Sequence, residues 1–455
     1  MKLNKLMFRE YDIRGIWEED INEEISYHIG RAYATKLLSL GKNKMIVGYD
    51  NRISSTIIER NLIKGLTEGG VDVVRLGLVT TPMYYYAWDV LDIRCGIMIT
   101  ASHNPKEYNG FKMSYNGIHN CFGDEVREIY DLIQKGEYSK GNGTISNYDI
   151  REEYIKMINS HIDIKDKKLK VVYDCGNGTT SIIAHDIFKS NDYIEYIPLY
   201  ADSDPTFPNH HPDPSVEENL SDLKKKVVEE NADCGIAFDG DGDRVGVVNN
   251  LGEFIPIDKY MIIIWRDIYD KVEKKEGFYD IKCSKALEDE LIKLGIKPIC
   301  TRTGNSYTKS ISVKENYPFG GEYSGHLYFR DRFIGTDDGI YGGLRLVEIL
   351  SRTNKKCSEL LNNISIYYST PEDKIPVSDD KKDYIVKRVE EYCKEKEYNI
   401  LTIDGVKVLY DDGFALIRKS NTTPNLTVRF EARTKDRVEE ISNEFMPLIN
   451  KLKEE

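Results

Sequence analysis

What this 455-residue sequence lacks narrows its function before any motif is read. No apolar run approaches the roughly 20 residues that a membrane span requires. The opening MKLNKLMFRE runs into charged sequence rather than the apolar core of a secretory signal, so a soluble, cytoplasmic protein is expected, without a membrane partner. The eight cysteines (95, 121, 175, 234, 283, 300, 357 and 393) include no CxxC pair. In a chain too large to need disulfide staples they read as reduced, structural thiols. A net charge of -13 and a pI near 5.3 exclude nucleic acid as the main partner, because nucleic acid rewards clustered positive charge. An anionic small molecule stays admissible where arginines and lysines gather locally. There is no GxxxxGK(S/T), and Gly176-Asn-Gly178-Thr-Thr-Ser181 lacks the third glycine of a dinucleotide fingerprint. Gly-x-Ser-x-Gly is also missing. The adjacent pair His210-His211, in FPNHHPDP, lacks the spacing of a zinc site and reads as a turn.

What is there is a chain 40% hydrophobic and 31% charged, with enough apolar surface for several cores and a length that suggests roughly three or four domains. Ile25, Ile29, Tyr33 and Leu37 recur at helical spacing and give way at Gly41 to an apolar run, Met45 to Tyr49. A helix near 55–68, a strand Val71 to Leu76 and a strand Cys95 to Thr100 continue the alternation, which predicts a mostly parallel α/β sheet. Fresh strands at Lys170 to Tyr173 and Asp233 to Phe238 mark a second unit. The apolar segment Met261 to Trp265, a strand Ile296 to Thr301 and a helix at 338–351 mark a third, closed by the polar stretch Ser369 to Asp383. The remainder, with strands near 400–418 and 426–432 and a helix carrying Val438, Ile441, Phe445 and Leu448, reads as a smaller α+β unit. The expected boundaries are 1–147, 148–252, 253–367 and 368–455. The three α/β units hint at an internal repeat, although no sequence self-similarity demands one.

Four loops carry the chemistry. Asp239-Gly-Asp241-Gly-Asp243-Arg244 follows a predicted strand, and its glycines let the backbone bend so that three carboxylates converge. Converging carboxylates repel unless a cation sits among them, and an all-oxygen site suits a hard ion such as Mg²⁺. An EF-hand is excluded, because Arg244 stands where glycine is needed and Asn250 where a bidentate glutamate belongs. Thr100-Ala-Ser102-His-Asn-Pro105 places a serine at a strand's end, where parallel sheets bind ligands. Taken alone, Ser102 is either a nucleophile or a turn cap, and His103 as its neighbour need not face the hydroxyl. Gly320-Gly-Glu322-Tyr-Ser324-Gly-His326 displays groups suited to sugar hydroxyls or to local backbone. Arg418-Lys-Ser420-Asn421-Thr422-Thr-Pro424 can surround a phosphate or be a solvated loop.

Together and in this order these loops resemble the α-D-phosphohexomutase superfamily, and within it the bacterial phosphomannomutase/phosphoglucomutase branch. The resemblance runs nearly end to end, from FREYDIRG through GYDNR, TASHNPKEYNGFK, DCGNG, FPNHHPDP, DGDGDR, GGEYSGH and DDGIYGGLRL to RKSNTTP. It implies three similar mixed-sheet α/β domains and a smaller C-terminal α+β domain around a central cleft, each contributing one loop. Ser102 then matches the phosphoserine, and Asp239, Asp241 and Asp243 match ligands of one Mg²⁺ completed by a phosphoserine oxygen. A phosphoserine carries about -1.5 to -2 charges at neutral pH, which a divalent cation offsets. Lys112 matches a lysine near the reacting hydroxyl, with a possible part in proton transfer, and Arg244 is placed to steady the transferring phosphate. Glu322 and Ser324 match the sugar-binding residues. Arg418, Ser420, Asn421 and Thr422 match the site for the phosphate that is not transferred. Tyr11, Arg14, Lys285 and His326 match cleft positions.

The resemblance implies an isomerase that interconverts hexose 1-phosphate and hexose 6-phosphate through a hexose 1,6-bisphosphate, with glucose 1,6-bisphosphate as activator, acting as a monomer or weak homo-oligomer. One position departs from the pattern. Relatives often carry histidine where this chain has Asn305, and a neutral amide is neither acid nor base, which shifts proton transfer to Lys112 or His326. The rival readings are a phosphoglucosamine mutase, which SNTTP in place of a Ser-Gly-Thr-Glu-Pro loop disfavours, and a non-catalytic sugar-phosphate binding protein, which would need no nucleophile. A metal-dependent phosphohydrolase would use similar groups but release phosphate.

Overall fold

The computed structural model describes residues 3–165, 167–190, 192–420 and 424–455. Local chemistry and tertiary burial agree along most of it. The helix Glu23–Ser39 starts where the Asn22 side chain accepts from the Ile25 N–H, with Glu23 and Glu24 in its first turn. It buries Ile25, Ile29, Tyr33 and Leu37, the stripe its spacing predicts. Helix Thr81–Val90 is capped by Thr80 and has a proline in its first turn.

Among the described residues the strands form four sheets. The first three share one topology. In the first, strands Lys44–Tyr49, Asp72–Leu78 and Gly96–Ile99 run parallel, and Tyr108–Ser114 returns antiparallel beside the third. Leu169–Asp174, Ile194–Leu199, Cys234–Phe238 and Val245–Asn249 repeat the arrangement. Glu276–Asp280, Lys297–Thr301, Phe319–Gly321 and Leu327–Phe329 repeat it again. Each time the third strand lies beside the first, and the fourth folds back along its outer edge. The three units thus repeat in topology where sequence self-similarity is weak. The sheets are mixed rather than mostly parallel, because each motif loop turns the chain back into a hairpin. The Ser102, Asp239 and Glu322 loops occupy the same place, the turn between third and fourth strands.

The fourth sheet is antiparallel throughout. Helices Asp379–Glu395 and Lys435–Glu454 supply Ile385, Val389, Ile441 and Phe445 to a core of its own with Val406, Ile417 and Val428. The polar stretch 369–383 is more structured than its composition suggests. Tyr368–Ser369 and Asp373–Pro376 both pair with Asn425–Ala432. These strands are mostly exposed and are held by backbone hydrogen bonds, so no apolar pattern announces them. The second and third units share a tight seam. Helix Gly339–Arg352 packs on the second sheet so closely that a Cβ on Gly343 would stand 2.5 Å from the Ile236 side chain. No helix among the described residues is long and apolar enough to cross a membrane.

Candidate active site

Ser102 lies at the carboxyl end of Gly96–Ile99, 1% exposed, with φ +52°, a left-handed conformation that costs a non-glycine residue about 1 kcal/mol or more. The surroundings enforce it. The Ser102 N–H donates to Thr100 Oγ1 at 2.8 Å. The buried Arg52 guanidinium donates to the carbonyls of Ser102, Asn104, Pro105 and Tyr108 at 2.7–2.9 Å while its Nε holds Asp50. Ser102 Oγ donates to Asp239 Oδ2 at 2.8 Å and stands 3.2 Å from His103 Nδ1. His103 therefore does face the hydroxyl. Burial, with the charges of Arg244 and Arg14, pushes its pKa well below the usual range, which leaves a neutral ring.

The two glycines of the acidic loop do different work. Gly242 has φ +83°, while Gly240 permits contact, since a Cβ there would stand 2.5 Å from the Ser102 carbonyl oxygen. All three aspartates are fully buried, with a carboxylate oxygen from each within 4.8 Å of the others. Asp239 Oδ1 accepts from the Gly242 and Arg244 N–H groups. Asp241 Oδ2 accepts from Thr81 Oγ1 at 2.6 Å and Lys112 Nζ at 2.7 Å, and Asp243 Oδ2 accepts from Lys112 at 2.5 Å. Asp241 Oδ1 and Asp243 Oδ1 have no hydrogen-bond partner. Burial and mutual repulsion push Asp239 and Asp243 above the ordinary carboxylate range, while Lys112 holds Asp241 below it against burial. Orphaned oxygens and a single ammonium among three carboxylates fit a divalent cation with oxygen ligands. Burial works against the Lys112 charge, but Asp241 and Asp243 outweigh it and hold the lysine well above its usual pKa.

His326 closes the acidic cluster from the third unit. Arg244 Nε donates to His326 Nε2 at 2.9 Å, and a guanidinium can only donate, so Nε2 carries the lone pair and Nδ1 the proton. Nδ1 then donates to Asp337 Oδ2 at 2.8 Å. Asn305, the first residue of helix Asn305–Glu315, stands with Nδ2 2.9 Å from His326 Nδ1 and donates to the same Asp337 oxygen. The departure from histidine at 305 thus places an amide that secures the carboxylate behind His326. Glu322 Oε1 accepts from the Gly304 N–H and from Thr308 Oγ1, and its Oε2 accepts from Ser324. Burial raises the Glu322 pKa.

Tyr11 joins the first unit to the third. Its hydroxyl donates to the Thr303 carbonyl at 2.6 Å and accepts from Arg302, and burial pushes it up to about 12. Arg14 donates to Asp12, to the Ala101 carbonyl and to Asn104, bracing the serine loop. Lys285 opens helix Lys285–Lys293, its backbone N–H bonded to Glu431 of the fourth unit. Arg418, 5% exposed, pairs with Asp404 at 3.0 Å, and Asp404 accepts from the Thr303 N–H. The Ser420 carbonyl accepts from Lys382. Asn421 and Thr422 lie outside the described residues.

Models of the phosphoglucomutase/phosphomannomutase family match in order: alpha/beta/alpha domain I at residues 5–140, domain II at 152–252, domain III at 256–367 and the C-terminal domain at 372–448. The chain belongs to this family. As a phosphohexomutase it is an isomerase. The phosphomannomutase/phosphoglucomutase of Pseudomonas aeruginosa is 40% identical over 439 residues, 96% of this chain and 94% of the relative. A phosphoglucomutase of Neisseria meningitidis is 38% identical over 451 residues, 97% of this chain and 96% of the relative. The crystal structure of a phosphoglucomutase/phosphomannomutase family protein from Burkholderia thailandensis superposes with a TM-score of 0.92 at 35% identity, covering 99% of this chain and 98% of that one.

Sequence reasoning missed several residues of this phosphohexomutase site. Arg52 sits in the quoted GYDNR segment, but nothing local says that its guanidinium ties a loop fifty residues away. Thr81 and Asp337 were likewise unassigned, although the paired aspartates of DDGIYGG were a signal.

Proposed function

We propose that the protein interconverts hexose 1-phosphate and hexose 6-phosphate, of glucose, mannose or both, through a phosphorylated Ser102 and a hexose 1,6-bisphosphate. The observation that carries this reading is the Ser102 hydroxyl, 2.8 Å from one carboxylate of a buried three-aspartate cluster. The Ser102 phosphate is transferred to the free hydroxyl of the bound monophosphate. The bisphosphate turns around, and its other phosphate returns to Ser102.

His326 Nε2 exchanges its Arg244 donor for the sugar hydroxyl and accepts the hydroxyl proton as the new P–O bond forms and the Ser102 Oγ–P bond breaks, while Asp337 holds Nδ1. Lys112, bonded to Asp241 and Asp243, contributes its positive charge beside the transferring group, as does Arg244. Glu322 and Ser324 bind sugar hydroxyls, and Tyr11, Arg14, Lys285 and Asn305 line or brace the cleft. Arg418 and Ser420, with Asn421 and Thr422, take the phosphate that is not transferred. One Mg²⁺ held by Asp239, Asp241, Asp243 and a Ser102 phosphate oxygen supplies charge neutralisation when bound. Glucose 1,6-bisphosphate primes Ser102, and the reaction belongs in the cytoplasm, carried out by a monomer or weak homo-oligomer.

Purified protein with Mg²⁺, glucose 1-phosphate and a trace of glucose 1,6-bisphosphate is expected to yield hexose 6-phosphate without free phosphate, with mannose and glucosamine 1-phosphates assayed in parallel. Release of phosphate would indicate a hydrolase, no turnover a binding protein, and turnover of glucosamine 1-phosphate far above the others a phosphoglucosamine mutase.

A further inference from the structure

Behind His326 lies a buried amine that the reaction scheme does not use. Lys309, in helix Asn305–Glu315, is 1% exposed, and its Nζ has no hydrogen-bond partner. It crosses from the third unit into an aromatic cage on helix Thr81–Val90 of the first, 2.8 Å from the Tyr85 ring centroid and 4.9 Å from that of Trp88. Burial lowers the Lys309 pKa to about 7, although Asp337 and Asp243 oppose the shift; a buried amine without hydrogen bonds is costly, and an apolar residue of the same length would suit packing better. The aromatic faces recover part of that cost. The rest faces Asp337, whose Oδ1 is 3.9 Å from Nζ and has no hydrogen-bond partner. The other oxygen, Oδ2, receives His326 Nδ1 and Asn305 Nδ2. The carboxylate is therefore divided between an amine behind and two donors in front. Although burial opposes it, the His326 hydrogen bond and the Lys309 charge together hold Asp337 below the usual carboxylate range.

We infer that Lys309 is a positioning residue for catalysis, which keeps the Asp337 carboxylate turned toward His326 and so fixes the ring with Nε2 against Arg244. The inference rests on the functional reading above, in which His326 carries the proton. It also explains why the lysine is caged by the first unit, since the serine and the histidine then share one frame.

Lys309→Met separates this role from packing. A packing role predicts unchanged kcat and an equal or higher melting temperature. The positioning role predicts kcat at least ten-fold lower with KM within two-fold, whatever the melting temperature does. In a His326→Ala background, Lys309→Met should cost less than two-fold further. Lys309→Arg, if the cage admits it, should recover part of the loss. Tyr85→Leu leaves the lysine but removes its aromatic face, and should lower kcat selectively by a smaller factor, which keeps the idea testable if the methionine variant does not fold. Undiminished kcat in Lys309→Met, or an equal loss with and without His326, would overturn the inference. An inactive wild type would instead overturn the functional reading.

Discussion

Gly240 lies directly against the Ser102 carbonyl, 2.5 Å from where its Cβ would be, so the acidic loop and the serine loop meet backbone to backbone. Gly240→Ala must therefore force them apart. Displacements of about 1 Å can cost on the order of 100-fold in rate, and a kcat loss of that size with little change in KM is expected from steady-state kinetics.

Arg52 restrains the serine loop by its fan of bonds to four carbonyls. Arg52→Met leaves Asp50 buried beside an apolar chain, a change of about 3–5 kcal/mol. The melting temperature should fall by several degrees, and activity should fall with it. Retention of wild-type melting would mean that the loop holds itself.

The unpartnered oxygens of Asp241 and Asp243 predict that Mg²⁺ stabilises the protein even without substrate. At 100 times its Kd, a ligand binding only the folded state adds about 2.7 kcal/mol. A thermal shift should appear for the wild type and vanish in Asp241→Asn. Chelation should abolish turnover.

Asp338 caps helix Gly339–Arg352 and accepts from the Tyr154 hydroxyl at 2.7 Å, and burial raises its pKa to about 7. The folded protein thus holds this proton more tightly than the unfolded chain. The associated stability is present below about pH 4 and is lost as pH rises through 7. Asp338→Asn, which preserves the cap, should melt a few degrees above the wild type at pH 8, with the difference shrinking toward pH 4.

The chemistry of the site was more legible than its scaffolding. DGDGDR and TASHNP announce themselves because converging acids and a strand-end serine are local arrangements of residue types. The burial stripe of Glu23–Ser39 was readable for the same reason. Strand Asp373–Pro376 was not, because an exposed edge strand needs backbone partners rather than apolar side chains. Asp337 and Lys309 escaped because their meaning lies in what faces them across units, and spacing along one chain does not carry that.

One sheet pattern used three times gives Ser102, the three aspartates and Glu322 interchangeable anchorages, each a hairpin gripped by equivalent strands. Such a chain can exchange or lengthen any one turn while its flanking ladder keeps the register. The Glu322 to His326 turn is the exception, because the histidine at its end also packs against the acidic cluster.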